Sequence, residues 1–358
     1  MRILYGIQGT GNGHLTRARA LLPALLAENL DVDCVLTGRP RKDYFNMELF
    51  GDFACYSGLS LVTERGQLKS WKTFSDNNLL QFWRDLTALN VHNYDLVISD
   101  FEPVTAWAAK LRKIPSLGIS HQSAFAYAVP SVRGFGPSRF LMQRFAPVDT
   151  AVGLHWHHFS QPIMPPLIER LSPGRVVHNK IVVYMGFEAI DDIRSFLAPF
   201  TDFRFCVYAK VGGESNYGHV TVKPFSYGEF HRDLSDCFGV ISNAGFELAS
   251  ECLVLGKKLL VKPLLGQFEQ LSNALALQAL NRATIIQELD QKILGKWLQQ
   301  PGHARIAYPE VAAALALWIR DGRRQELRDL ADSLWSQCNF PFEIDTKFGR
   351  SLLPGMIS

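Results

Sequence analysis

The chain of 358 residues lacks any pair of cysteines at zinc or redox-motif spacing; Cys34, Cys55, Cys206, Cys237, Cys252 and Cys338 are scattered. This excludes a disulfide framework and a CxxC metal site, and it suits a reducing compartment. No apolar run reaches the ~18 residues that span a bilayer, and "MRILYGI" enters a strand with no h-region or cleavage site. We expect a cytoplasmic protein. Neither sign of charge is in excess, with 37 Lys plus Arg against 34 Asp plus Glu, so a protein built to neutralise a nucleic-acid backbone is excluded. What is present is a globular composition, 47% hydrophobic and 20% charged, in a chain long enough for two domains.

Short β-rich runs alternate with helical patterns. In the first half these are "RILYGI" (2–7), a helix from His14 to Glu28, "DVDCVLTG" (31–38), "DLVISD" (95–100), the helix "PVTAWAAKLRK" (103–113) and "PSLGISH" (115–121). The rhythm breaks over 122–175, where Pro130, Pro137, Pro147, Pro162, Pro165, Pro166 and Pro173 read as irregular lining and linker. It restarts at "KIVVYMG" (180–186) and continues through "FRFCVYA" (203–209), "HVTVKPF" (219–225), "CFGVIS" (237–242), "KKLLVKP" (257–263) and "ATIIQ" (283–287), with helices between. Strict alternation predicts an α/β protein of two doubly wound, Rossmann-like parallel sheets. We place the N-terminal domain at 1–165, the C-terminal domain at 176–322, and a terminal helix and tail at 323–358 that packs back on the first domain.

Two segments carry alternative readings. In "SVRGFGPSRFLMQRF" (131–145), Arg133, Arg139 and Arg144 alternate with Phe135, Phe140 and Phe145. That pattern suits an anionic membrane surface or an acidic acceptor, and equally a solvated loop packed by its Phe side chains. In "HWHH" (155–158), His155 and His157 would share one face of a strand, as metal ligands or as part of a strand near the domain junction.

The opening loop "GIQGTGNGHLTRARA" (6–20) places Gly6, Gly9, Gly11 and Gly13 between a strand and a helix. Such a turn lets an anion approach unpaired helix amides. It is not a dinucleotide fingerprint, because the spacing is GxGxG followed by His and the next strand ends in "VLTG" without an acid for ribose. His14 falls at the helix N-terminus on the ligand side of the sheet, a candidate general base or an exposed loop histidine. Asp100, ending "DLVISD", lies at the same edge and would orient that imidazole. Glu102 reads either as a ligand on the acceptor side of the cleft, with His121, or as the N-cap of the helix that begins at Pro103.

The second constellation is "ISNAGFELASECLVLGKKLLVKPLLGQFEQLSNALAL" (241–277). Ser242 or Asn243 would cap a helix, and Gly245 would let a diphosphate reach the amides of Ala244 to Phe246. Glu251, on a face with Glu247, could accept both hydroxyls of a ribose, while Glu269 and Gln270 start the next helix at the same edge.

This pattern resembles the donor-nucleotide motif of GT-B glycosyltransferases, most closely the MurG-like family (family 28 type), and "GTGNGHLTRA" resembles that family's N-terminal loop. The resemblance implies a GT-B cleft between the two domains. His14 and Asp100 would be catalytic, and Gly11, Gly13, Phe225, Ser226, Asn243, Ala244, Gly245, Glu251, Glu269 and Gln270 would hold the donor. It implies inverting transfer from a nucleotide diphosphate sugar, here a UDP-sugar, to a hydroxyl acceptor; the resemblance points to a lipid-linked or cell-envelope polysaccharide one, and a small soluble acceptor stays open. The nucleotide sugar is then a co-substrate, with no further cofactor. No DxD motif stands near a strand end, and we expect no metal. The loop "VVYMGFEAIDD" departs from the family, having one glycine where MurG has a second glycine-rich loop. A UDP-sugar 2-epimerase of the same fold and a non-catalytic nucleotide-sugar-binding protein are the alternatives. Oligomeric state is not legible.

Overall fold

The computed structural model describes residues 1–59, 63–64, 67–68, 78–133 and 135–340. The expected tail beyond Phe340 lies outside them. Strands β1 (Arg2–Gln8), β2 (Asp31–Thr37) and β3 (Ala54–Tyr56) are followed by a hairpin of β4 (Thr63–Glu64) and β5 (Gln67–Leu68). Then come β6 (Leu96–Asp100), β7 (Ser116–Ser120) and β8 (Thr150–Gly153). The first sheet runs β3-β2-β1-β6-β7-β8, and every neighbouring pair is parallel.

The second sheet contains β9 (Val177–Tyr184), β10 (Arg204–Ala209), β11 (Ser215–Tyr217), β12 (Val220–Pro224), β13 (Cys237–Ser242), β14 (Lys258–Val261) and β15 (Ala283–Ile285). Its order is β11-β12-β10-β9-β13-β14-β15, with only the edge strand β11 antiparallel. Setting β11 aside, both sheets wind identically, so the architecture repeats without a repeated sequence. β6, β7 and β14 are buried along their whole length, as parallel strands covered on both faces must be.

In each sheet the order reverses beside the first strand, at β1/β6 and β9/β13, and ligands of open α/β sheets gather beyond the carboxyl ends at such points. Helix α1 (Asn12–Ala27) leaves β1 with Leu15, Ala18, Leu21, Leu22 and Leu25 buried at helical spacing. The helices numbered next are α2 (Leu79–Ala88), α3 (Pro103–Arg112), α4 (His121–Ala124), α5 (Gly136–Phe145) and α6 (Ile190–Leu197). They continue as α7 (Tyr227–Asp236), α8 (Phe246–Leu255), α9 (Phe268–Ala279), α10 (Gln291–Leu298), α11 (Val311–Arg320) and α12 (Leu327–Trp335).

The proline-rich stretch is more ordered than expected, since it contains α5 and β8. Pro137 falls in the first turn of α5, where the missing N–H costs no hydrogen bond. "HWHH" is not a strand either. It is a turn in which the Nδ1 atoms of His155, His157 and His158 accept the backbone N–H of Trp156 (2.8 Å), Phe159 (3.1 Å) and Ser160 (2.9 Å). Among the described residues no group of three or more His, Cys, Asp or Glu is placed to hold a metal, and no helix is long and apolar enough to cross a membrane.

Trp156 joins the two halves. Its indole is fully buried, stacks on Phe246 of α8 (4.9 Å) and donates to Ser250 Oγ (2.8 Å). Trp335 of α12 donates through its indole N–H to Ile163 O (2.6 Å), and α11 packs along α1.

The glycines of the first loop serve packing more than the anion approach suggested by their number. A Cβ on Gly6 would overlap the Thr105 hydroxyl and stand 2.8 Å from Glu102 Oε2, and one on Gly13 would stand 3.1 Å from Glu247 Cγ in the other lobe. Gly11 alone of these has open space around it. Gly6→Ala should therefore cost about 1–3 kcal/mol, and Gly11→Ala under about 1 kcal/mol, compared by equilibrium urea unfolding.

Candidate active site

His14 occupies the third position of α1, whose N-cap, Gly11, has extended backbone and no side-chain cap. Asp100 ends β6. The strand pair β1/β6 brings them together, with His14 Nδ1 2.9 Å from Asp100 Oδ1. Nδ1 stands between Asp100 Oδ1, which only accepts, and Arg17 Nη2 (2.9 Å), which only donates; the tautomer that makes the Asp100 bond carries the proton on Nδ1 and leaves Nε2 as a lone pair, with Arg17 already satisfied on the carboxylate.

Arg17, one helical turn beyond His14, grips the same carboxylate at both oxygens, Nε to Oδ2 at 2.8 Å and Nη2 to Oδ1 at 2.6 Å. Its Nη1 donates to Glu247 in the first turn of α8, across the cleft. Arg17 and Asp100 are buried. Burial alone would raise the Asp100 carboxyl, but the Arg17 charge and the hydrogen bonds from His14 and Arg17 outweigh it and hold the group below its ordinary range. Glu247 behaves oppositely: burial, helped by the Asp100 and Glu251 charges, pushes it up to about 8 against the pull of Arg17.

Sequence reasoning missed Arg17. The available signal was a lone arginine four residues before Leu21 on the apolar face of α1.

A cavity of about 130 Å³ opens between α1 and the second lobe. It gathers Gly13 with Phe225, Ser226, Glu247 and Glu251 of the expected donor side, and adds Tyr184, Tyr227 and His231. His231 Nε2 lies 3.4 Å from Glu251 Oε1, and its Nδ1 lies 2.9 Å from Tyr227 O.

The N-terminus of α8 differs from the expectation in one respect. The cap position is Gly245, and no side chain caps the helix; Asn243 turns its amide to Lys262 O instead (3.0 Å). Ala244 is buried, with its carbonyl taken by Asn273 (3.0 Å), while a Cβ on Gly245 would meet nothing within 4 Å. In the loop after β9, Glu188 pairs with Lys262 at 2.7 Å.

Two expected ligands, Glu102 and His121, face elsewhere. Glu102 is fully buried and caps α3, accepting from Val104 N and Thr105 N (both 2.7 Å) and the Thr105 hydroxyl (2.5 Å), so its carboxylate does not reach the cleft. His121 is fully buried between Leu154 O (2.9 Å) and Asn273 Oδ1 (2.7 Å) and stacks on Phe246 at 3.9 Å; it seals the lobe junction rather than lining the acceptor side. Gln270 accepts the Leu264 N–H (3.0 Å) and holds the turn after β14. Glu269 accepts from Gln122 of the first lobe (3.1 Å). In the Arg/Phe segment, Phe145 stacks on Phe101 (4.9 Å) while Phe140 is exposed beneath the Arg144 guanidinium (5.0 Å).

Loss of the double cap in Glu102→Ala should cost about 2 kcal/mol in urea unfolding and leave nucleotide binding by calorimetry unchanged. The folded chain keeps the Glu247 proton up to about 8, whereas an unfolded glutamic acid releases it near ~4.3. The stability contributed by that proton is thus full below the unfolded value and lost as pH rises through the folded one. Glu247→Gln should flatten the fall in unfolding free energy between about pH 5 and about pH 8.5.

The family model for glycosyl transferase family 1 matches residues 1–133 and 157–301. Among solved structures, the glycosyltransferase SnogD from Streptomyces nogalater is similar over 94% of this chain and 99% of its own, with 16% identity and a TM-score of 0.52. UGT89C1 of Arabidopsis thaliana, complexed with UDP, is similar over 94% and 98%, with 13% identity and a TM-score of 0.55. The glycosyltransferase SsfS6 from Streptomyces sp. SF2575, complexed with thymidine diphosphate, is similar over 94% and 95%, with 13% identity and a TM-score of 0.55. No curated protein sequence is significantly similar. At these identities the likeness is one of fold, two parallel-sheet lobes in the GT-B arrangement. With the family model covering most of both lobes, the chain belongs to glycosyl transferase family 1.

Proposed function

We propose that the enzyme moves a sugar from a UDP-sugar to an acceptor hydroxyl with inversion at the anomeric carbon. Residues 1–165 serve the acceptor and 176–322 the donor, and the terminal helix α12 packs back on the first domain. What carries the reading is a continuous chain of contacts: the His14–Asp100 pair of the first lobe is joined through Arg17 to Glu247, which with Glu251 lines the cavity from the second lobe on a helix whose start has no side-chain cap.

His14 Nε2 takes the acceptor proton as the hydroxyl oxygen attacks the anomeric carbon. The bond to the diphosphate oxygen breaks with its electron pair on the leaving group, and a single displacement inverts the centre. Asp100 keeps the ring in the tautomer that accepts this proton and stabilises the imidazolium that forms. The first-turn amides and dipole of α8, reached past Gly245, stabilise the departing diphosphate in place of a metal.

Glu251 accepts the ribose hydroxyls, and Phe225 with Ser226 borders the base. The resemblance of 241–277 to MurG supports uridine, and a lipid-linked or polysaccharide hydroxyl as acceptor. The exposed Phe140 with Arg144 on α5 is a surface suited to such an acceptor.

UDP and the UDP-sugar that is turned over should raise the unfolding temperature of the full chain. His14→Ala should cut UDP release about 10²- to 10⁴-fold while leaving the Kd for UDP unchanged. An unchanged rate in that variant removes the base from the mechanism. A UDP-sugar altered in its ring without UDP release would make the enzyme an epimerase.

A further inference from the structure

The pocket contains a histidine that the transfer mechanism leaves unused. His231, on α7, lines the same cavity as Glu251 and has 19% of its side chain exposed. Its protonation follows from its two neighbours. Nδ1 faces the carbonyl oxygen of Tyr227 at 2.9 Å, which only accepts, so Nδ1 carries a proton. Nε2 faces Glu251 Oε1 at 3.4 Å, and an ionised carboxylate likewise only accepts, so Nε2 carries one too. A ring with both protons is an imidazolium. The electrostatics agree in direction: burial would lower this group, but the hydrogen bond and charge of Glu251 raise it above the ordinary histidine range.

The ring is also fixed in place. Tyr227 packs against it at 4.3 Å and is itself anchored by its hydroxyl on Glu169 Oε2 (2.6 Å), with the Arg19 guanidinium of α1 over the opposite lobe's Tyr227 ring at 5.0 Å. The charged groups around the imidazole are thus Glu251 and Glu247 from α8, Glu169 from the linker, Arg19 from α1, and Arg232 beside it.

We propose, resting on the reading that Glu251 takes the donor's ribose, that His231 completes this subsite and makes it selective for a ribonucleoside over a 2′-deoxyribonucleoside diphosphate. The His231–Glu251 separation is at the long end of a hydrogen bond, and a sugar hydroxyl can bridge it. The hydroxyl gives its proton to Glu251 and accepts Nε2–H from His231, so each of its two functions is used. With the neighbouring hydroxyl on the second carboxylate oxygen, a cis-diol satisfies the whole pair. A 2′-deoxy sugar leaves the His231–Glu251 pair with only its own long 3.4 Å contact and forgoes two charge-assisted hydrogen bonds, the circumstance in which a hydroxyl-reading site discriminates. Because the arrangement needs the imidazolium, the preference declines as pH rises through the His231 titration.

The test is calorimetric titration of the full chain with UDP and with 2′-deoxy-UDP at about pH 6 and about pH 8.5. The two share a diphosphate, so its own titration cancels in the ratio of their Kd values. We expect UDP to bind about tenfold or more tighter at the lower pH and the ratio to shrink at the higher. In His231→Gln the ratio should be small and independent of pH. Equal affinities in the wild type, or a His231→Gln variant that keeps both the preference and its pH dependence, overturn the inference and leave the donor-pocket reading standing. A chain that binds neither nucleotide overturns that reading and this inference together. If the variant does not fold, the pH dependence of the wild-type ratio decides the matter alone.

Discussion

One guanidinium, that of Arg17, holds the cleft together. It meets the Asp100 carboxylate along one edge and reaches Glu247 on the other lobe with its remaining arm. Three ionisable groups withdrawn from water carry a desolvation cost of several kcal/mol each, offset only when geometry and charge both match. One cation can neutralise one of two carboxylates. Asp100, bound at both oxygens and facing His14, keeps its charge, and Glu247, with Glu251 behind it, is the one driven toward the neutral acid. The position of the lobes and the state of the His14–Asp100 pair therefore depend on the same side chain.

The surrounding core explains why this contact is sustained. Phe246, the first residue of α8, is covered on the first-lobe side by His121 and Trp156, so the helix start that faces the cleft is held by aromatic stacking. Gly13 lets α1 approach Glu247 without a side chain between them. Close helix approach accompanies the Arg17–Glu247 hydrogen bond across the cleft. The glycine serves packing at one end of the loop, while Gly11, with open space, is left for access.

How much was legible in advance follows from the range of the forces involved. The strand and helix alternation, the doubly wound architecture and the shared sheet edge of His14 and Asp100 come from local apolar patterning and from the rule that ligands sit beyond strand carboxyl ends. The short strands β3 and β8 and the helices α2, α5 and α10 were not legible, because prolines and short runs weaken periodicity even where a helix starts well. The Glu102 cap was visible only as one of two readings. A residue two positions past a strand end can turn inward to the next helix or outward to the cleft, and the spacing is the same for both.

The amino-acid order alone therefore determined which segments alternate, how the sheets wind and that His14 and Asp100 share one sheet edge, since each depends on neighbours a few positions away. Tertiary structure decided the rest: that Glu102 and His121 point into packing, that Asn243 leaves α8 uncapped, and that Arg17 finds Glu247 some two hundred and thirty residues away. Those outcomes depend on contacts between segments far apart in the chain, where direction is set by burial and by the matching of charge rather than by sequence spacing.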